Sequence, residues 1–290
     1  MSHPQTGIPR FFPALLLGLA LGACSTTGSM NAAGTGAPES EDAIYATSPA
    51  NLASLTSVVQ RNPNDPQAYN MRGSVFGEGG RYAEALADFN KAISIDPKYA
   101  QAYANRGLVY RETGKMDLAL ADYNKALSID PNYATAYLGR GTIYRSEHKP
   151  PLALADFNRA IAIRPDDEQA YYNRGLLYQS QQQHDYAIED FTTAIGLSTQ
   201  QAEPYVARGL SYIAVKNYKN AASDLDQAVN IEPQNVQAWV SRGLAYERLG
   251  DKQKAAGSYA RALNIDQYNQ AAKNGFRRVG GQYGEAYQTF

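Results

Sequence analysis

The sequence predicts an all-α repeat solenoid, and two observations carry that prediction. The first is a fixed period. The blocks AYNMRG (68–73), AYANRG (102–107), AYLGRG (136–141), AYYNRG (170–175), PYVARG (204–209) and AWVSRG (238–243) recur every 34 residues. A period of that size marks stacked supersecondary units, each unable to bury its apolar face alone. The second is the pattern inside one unit. In residues 100–133, Tyr103, Gly107, Tyr110, Ala119, Tyr123 and Ala126 are spaced by 4 and 3, the stripe of an amphipathic helix twice over. Thr113-Gly114-Lys115 forms a polar turn between the stripes, and Asp130-Pro131 stops the second helix.

Taken in chain order, residues 1–23 come first. Arg10 precedes the apolar run 11–23, which is too short to span a bilayer and reads as a signal peptide. Leu21-Gly22-Ala23-Cys24 resembles the bacterial lipobox, which implies cleavage before Cys24 and acyl chains on its thiol and new amine. Cys24 is the only cysteine among 290 residues, so a disulfide within one chain is excluded. Ser25 stands where an Asp would favour inner-membrane retention in Gram-negative bacteria. The resemblance therefore implies anchoring in the periplasmic leaflet of the outer membrane. Residues 24–50 are rich in Gly, Ser, Thr and Ala and carry Glu39, Glu41 and Asp42. They read as a tether that packs no core, with a span of about 25–30 Å and a full reach of about 80–90 Å.

Residues 51–65 place Leu55 and Val58 where the second helix of a unit would have them, and read as a capping half-repeat. Six units follow over 66–267, with boundaries 66–99, 100–133, 134–167, 168–201, 202–235 and 236–267. Residues 268–290 hold a capping helix over 268–279 and a tail after Gly280-Gly281. Lys273, Arg277 and Arg278 give that helix the polar backing a terminal cap needs.

Within the units, Gly107 and Ala119 with their equivalents are expected on facing turns, letting two backbones approach. The series Tyr, Gly, Tyr, Ala, aromatic, Ala, Pro at these offsets resembles the tetratricopeptide repeat over residues 66–267. Thr199 and Gln267 depart from the pattern at the terminal proline, and Leu225 at the second-helix aromatic. The resemblance implies a right-handed α-solenoid that binds proteins and does no chemistry. Twelve of the 22 tyrosines occupy three repeat positions and read as core and seam residues.

One row of charges recurs. Arg72, Arg106, Arg140, Arg174, Arg208 and Arg242 precede the Gly of each copy. Asp88, Asp122, Asp156, Asp190 and Asp224 precede the second-helix core position in five, with Ser258 in the sixth. Near-equal opposite charges at a fixed offset favour a ladder of bridges over a basic ligand row. Pairing within a repeat leaves Arg242 without its Asp, whereas pairing with the previous repeat sets Arg72 against Ser54.

By family resemblance, first helices line a concave groove for partners. The corresponding positions are Asn70, Ser74, Asn105, Leu108, Arg111, Leu138, Thr142, Arg145, Tyr172, Asn173, Leu176, Val206, Leu210, Val240 and Leu244. Asn70, Ala104, Leu138, Tyr172, Val206 and Val240 stand where chaperone-binding members carry a Lys, which disfavours that ligand. Leu176, Val206, Leu210, Val240 and Leu244 lie off the core stripe. They are expected either to form an exposed apolar patch or to pack between neighbouring first helices.

Composition excludes other classes. Loss of residues 1–23 takes Arg10 from the 27 basic side chains, leaving 26 against 28 acidic, a net −2 that offers no footprint for nucleic acid. Phosphate-binding, dinucleotide-binding and zinc-hydrolase motifs are absent from the sequence, and His148 and His184 fall in turns, expected to be exposed. No catalytic residue, metal or cofactor is expected. The sequence thus points to a lipid-anchored adaptor for envelope proteins or peptides. The alternative is a structural assembly subunit, pilotin-like or serving outer-membrane protein assembly, that could form homo-oligomers.

Overall fold

The computed structural model describes residues 47–282, and the readings for 1–46 and 283–290, Cys24 among them, lie outside these described residues. Among the described residues there are fourteen α-helices and no strand. Helix α1 (Pro49–Arg61) is followed by six antiparallel pairs and a terminal helix. The pairs are α2 (Pro66–Glu78) with α3 (Tyr82–Ile95), α4 (Ala100–Glu112) with α5 (Met116–Ile129), and α6 (Ala134–Ser146) with α7 (Pro150–Ile163). Then come α8 (Glu168–Ser180) with α9 (His184–Leu197), α10 (Ala202–Ala214) with α11 (Tyr218–Ile231), and α12 (Val236–Leu249) with α13 (Lys252–Ile265). Helix α14 (Gln270–Arg278) closes the stack and is shorter than the 268–279 read from sequence.

The junctions show why the helices stop where they do. At three repeat ends an Asp closes its own turn: Asp96, Asp130 and Asp266 accept through Oδ1 from the backbone N–H two residues on, at 2.8–2.9 Å. This side-chain turn competes with further helix and hands the chain to the next repeat. Asp65 and Asp167 instead cap the N-termini of α2 and α8, accepting from Gln67 and Gln169 N–H.

The turn inside each pair needs one left-handed residue. That position is Gly80, Gly114, His148, Gln182, Lys216 and Gly250, with φ between +55° and +85° in all six. The backbone N–H of the next residue reaches back five residues to a carbonyl, as Lys115 does to Tyr110 at 2.8 Å. Three of the six carry a side chain against the preference of L-residues. His148→Gly, Gln182→Gly and Lys216→Gly are each expected to raise stability by about 0.5–1 kcal/mol, left-handed strain relieved less the entropy of Gly. Urea midpoints of the single variants check this, and a lower midpoint for all three would contradict it. His148 is exposed as expected, but His184 is the first residue of α9 and half-buried, a correction to its sequence reading.

The core is a column down the second helices. Ala85, Ala119, Ala153, Ala187, Ala221 and Ala255, with Phe89, Tyr123, Phe157, Phe191, Leu225 and Tyr259, are all at most 1% exposed. The repeat glycines serve this column in a way the spacing did not reveal. A Cβ at Gly141 would lie 2.8 Å from Phe157 Cε1, and one at Gly175 would lie 2.7 Å from Phe191 Cε1. The repeat glycines thus seat the second-helix ring of their own repeat, or Leu225 at Gly209, and at Gly107 the facing Ala119 is in reach as well. Of the twelve repeat tyrosines only Tyr123, Tyr246 and Tyr259 are buried. The other nine are half-buried rather than core, and their place is described below.

Successive first helices touch one another along the stack, while second helices of neighbouring repeats do not come comparably close. An array whose inner layer is closer-spaced than its outer layer curves toward the inner one. The first helices α2, α4, α6, α8, α10 and α12 therefore line the concave face.

Candidate partner groove

Two rows of polar side chains run along the stack, and they differ in how fully they are satisfied. The first is the arginine row. Arg72, Arg106, Arg140, Arg174 and Arg208 each donate from Nε and Nη2 to the two oxygens of Asp88, Asp122, Asp156, Asp190 and Asp224, at 2.7–2.8 Å. The pairs lie within a repeat, sixteen residues apart. Their side chains are only 15–20% exposed on the Arg side and 6–9% on the Asp side.

Each arginine has further work. From the second repeat on, Nη1 reaches the preceding repeat: Arg106 to Asn90, Arg140 to Asn124, Arg174 to Asn158 and Arg208 to Thr192, at 2.6–2.9 Å. Each guanidinium also lies within 6 Å of two ring centroids, three residues before it and four after, for example Arg140 at 5.5 Å from Tyr137 and 5.9 Å from Tyr144. This is where the half-buried tyrosines belong: they flank the arginines and shield the bridges from water.

Arg242 resolves the sixth copy. Ser258 replaces its Asp and accepts from Nη1 at 2.8 Å, while Nε donates to Asp226 of the preceding repeat at 2.6 Å. Asp226 sits where Asn90, Asn124 and Asn158 stand in earlier repeats. The carboxylate has moved across the repeat boundary, and Tyr246 donates to its other oxygen at 2.8 Å. Arg242 is 3% exposed and needs that charge. Sequence reasoning missed Asp226, although its offset of sixteen from Arg242 matches the other pairs read backwards. With every guanidinium so engaged, the row ties helices together and offers no free basic face.

The second row is the concave face. Asn70 and Asn105 are buried and joined: Asn105 Nδ2 donates to Asn70 Oδ1 at 3.0 Å and to Ser74 Oγ at 3.2 Å. Leu108 is half-buried on α4. Thr142 donates to the Leu138 carbonyl at 2.8 Å, and Leu138 packs on the cluster around Phe157. Tyr172 and Leu176 pack on the cluster around Phe191, with the Tyr172 and Phe191 rings 5.8 Å apart. Burial pushes the Tyr172 hydroxyl up to about 12, with Glu203 adding to the shift, so it stays protonated at neutral pH.

The apolar half of the groove differs from an exposed patch. Val206 is buried, Leu210 and Val240 pack against the core around Leu225, and Leu176 and Leu244 are half-buried. The alternative of packing between neighbouring first helices holds, because those helices stack closely enough to cover side chains off the core stripe. None of the fifteen groove residues is fully exposed.

Arg111 and Arg145 occupy the same register on α4 and α6. Arg111 Nη2 donates to Glu112 at 2.8 Å, whereas Arg145 Nη2 reaches only the neutral Asn173 Oδ1 at 3.3 Å. Asn173 in turn donates to the Gln169 carbonyl. The groove thus carries a local positive excess over its second to fourth repeats.

Tetratricopeptide repeat profiles match residues 73–114, 100–133, 141–182, 168–198 and 206–272. The chain belongs to the tetratricopeptide repeat family. None of the curated proteins is significantly similar to it in sequence. Among solved structures it is similar to a chain of the anaphase-promoting-complex assembly Cut9–Hcn1, at TM-score 0.68 and 19% identity over 84% of this chain. The chain spans 50% of the length of that structure's chain. It is also similar to Pseudomonas aeruginosa pilF, at TM-score 0.67 and 20% identity over 74% of this chain and 97% of that one. The type IV pilus biogenesis factor PilW matches at TM-score 0.65 and 19% identity, over 72% of this chain and 97% of that one. These likenesses are of fold. Among the described residues no helix is long and apolar enough to cross a membrane, and no cluster of three or more His, Cys, Asp or Glu could hold a metal ion.

Proposed function

We propose that this protein is a lipid-anchored, non-catalytic adaptor of a bacterial cell envelope, holding partner proteins in the concave groove of its repeats. The observation that carries the groove is the contrast between the two polar rows. The arginine ladder is closed by carboxylates, amides and rings, whereas the concave face keeps an arginine with no carboxylate partner among the described residues. Membership of a protein-binding repeat family supports the same reading.

The anchor rests on Leu21-Gly22-Ala23-Cys24 and the tether-like composition of residues 25–50. Acyl chains on Cys24, with Ser25 after it, would seat the protein in the periplasmic leaflet of the outer membrane. The type IV pilus biogenesis factor PilW, of similar fold, makes pilus assembly one envelope process in which to look for partners.

Crosslinking in intact envelopes tests this reading. The wild-type chain is expected in the membrane fraction, crosslinked to an envelope protein, and Cys24→Ala is expected to be released or to stall unprocessed with its repeats folded. A processed Cys24→Ala chain that still fractionates with membrane would remove the anchor. Crosslinks only to further copies of the same chain would favour the self-associating assembly subunit.

A further inference from the structure

Arg145 differs from the ladder arginines in what its guanidinium meets. Its Nε is buried with no hydrogen-bond partner, and its Nη2 meets only an amide oxygen at 3.3 Å. Burial holds the guanidinium below its ordinary value, and the charge of Arg111, on the same face one repeat earlier, lowers it further. A buried donor left without an acceptor is costly, and a second cation nearby adds to that cost. Glu112 offsets Arg111 at 2.8 Å, so Arg111, Glu112 and Arg145 together leave one positive charge unmatched. The protonated Tyr172 hydroxyl, on the next first helix, adds a neutral donor within the field of the Arg145 charge.

We propose that Arg145, flanked by Arg111 and Tyr172, is a subsite that takes one carboxylate, that of an Asp or Glu side chain on an extended segment of a partner protein. This deepens the groove reading above and rests on it. One carboxylate neutralises the unmatched charge and accepts from the terminal guanidinium nitrogens, which stay within reach while Nε is buried. A doubly charged phosphate would bring more charge than the one unmatched cation and would face both Glu112 and the Glu203 carboxyl that acts on Tyr172, so a singly charged carboxylate is the better match. The subsite also gives the groove a register, because an acidic side chain would be fixed over the third repeat.

Selection of random displayed peptides on the full chain, followed by affinity measurement on a resynthesised winner, tests the proposal. Peptides selected by the wild type are expected to carry Asp or Glu at one fixed position. Changing that residue to its amide, or Arg145→Gln in the protein, should each weaken binding by about tenfold or more, with little further loss when combined. Arg145→Gln relieves a buried charge and should melt at or above the wild-type temperature, and Arg145→Lys should recover part of the affinity. Selected peptides with no acidic preference, or equal binding by Arg145→Gln, would overturn the carboxylate subsite while leaving the groove a peptide binder. Tighter binding of a phosphoserine version would overturn the charge match. Failure of the wild type to select any peptide would overturn the groove reading and this proposal with it. Displacement of the winner at equal affinity by a synthetic peptide of residues 36–47 would make the chain's own acidic segment the occupant, against a partner.

Discussion

Gly139→Ala is expected to destabilise the array by about 1–3 kcal/mol, and Tyr123→Phe is expected to recover part of that loss. A Cβ at Gly139 would lie 2.4 Å from Tyr123 Cζ, 2.6 Å from its hydroxyl oxygen and 2.7 Å from its Cε1, across the boundary between the second and third repeats. Tyr123 is 1% exposed and cannot swing into solvent without emptying the core. The same pairing recurs at Tyr259 and Gly275, again sixteen residues apart, whereas repeats with Phe or Leu at the ring position tolerate Asn, Ala or Ser at the seat. Alanine is otherwise the better helix residue by about 1 kcal/mol, so the sign of the change is diagnostic. Gly196, with nothing near its Cβ position, is the control, and Gly196→Ala should stabilise. A double-mutant cycle by urea denaturation measures the coupling. Additive single effects would show that the Tyr123 tip does not sit on Gly139.

Asp156→Ala is expected to cost about 2–3 kcal/mol, because it strips both oxygens from a guanidinium held between Tyr137 and Tyr144. Of its side-chain hydrogen bonds Arg140 would keep the one to Asn124 at 2.6 Å. The loss should change little between low and high salt, since the pair is mostly shielded from ions. In the last rung Asp226→Asn should be the costly change and Ser258→Asp the compensating one, because the carboxylate for Arg242 comes from the preceding repeat. A cost for Asp156→Ala below about 0.5 kcal/mol would reduce the ladder to ordinary surface pairs.

Helix order, repeat boundaries and the Arg–Asp offset were legible in the sequence because each follows from a period that six copies restate. What was not legible depends on contacts between repeats. The Tyr123–Gly139 seat joins two copies and departs from the shared pattern in both, so a repeat-by-repeat reading sees two unrelated exceptions. Asp226 was missed for the same reason. The tyrosines read as core and seam residues because aromatic residues at helical spacing usually are, and their role as flanks to a charged row appears only with the guanidinium in place. The groove was legible as positions but not as exposure: Leu210 and Val240 look free on a single helix and are half-buried against the core once the repeats are stacked. Arg145 showed nothing unusual in sequence, where it repeats Arg111; the difference is that Glu112 has no counterpart at Ser146.

Site-specific photocrosslinking in intact envelopes tests the central claim most directly, with p-benzoylphenylalanine placed either at position 142 on the concave face or at position 152 on the outer helix of the same repeat. Leu152 is 49% exposed, so the outer position is at least as accessible to a passing protein. A partner held in the groove predicts a discrete adduct with another envelope protein from position 142 and none from position 152. Adducts from position 152 alone would contradict it and move partner binding to the convex face.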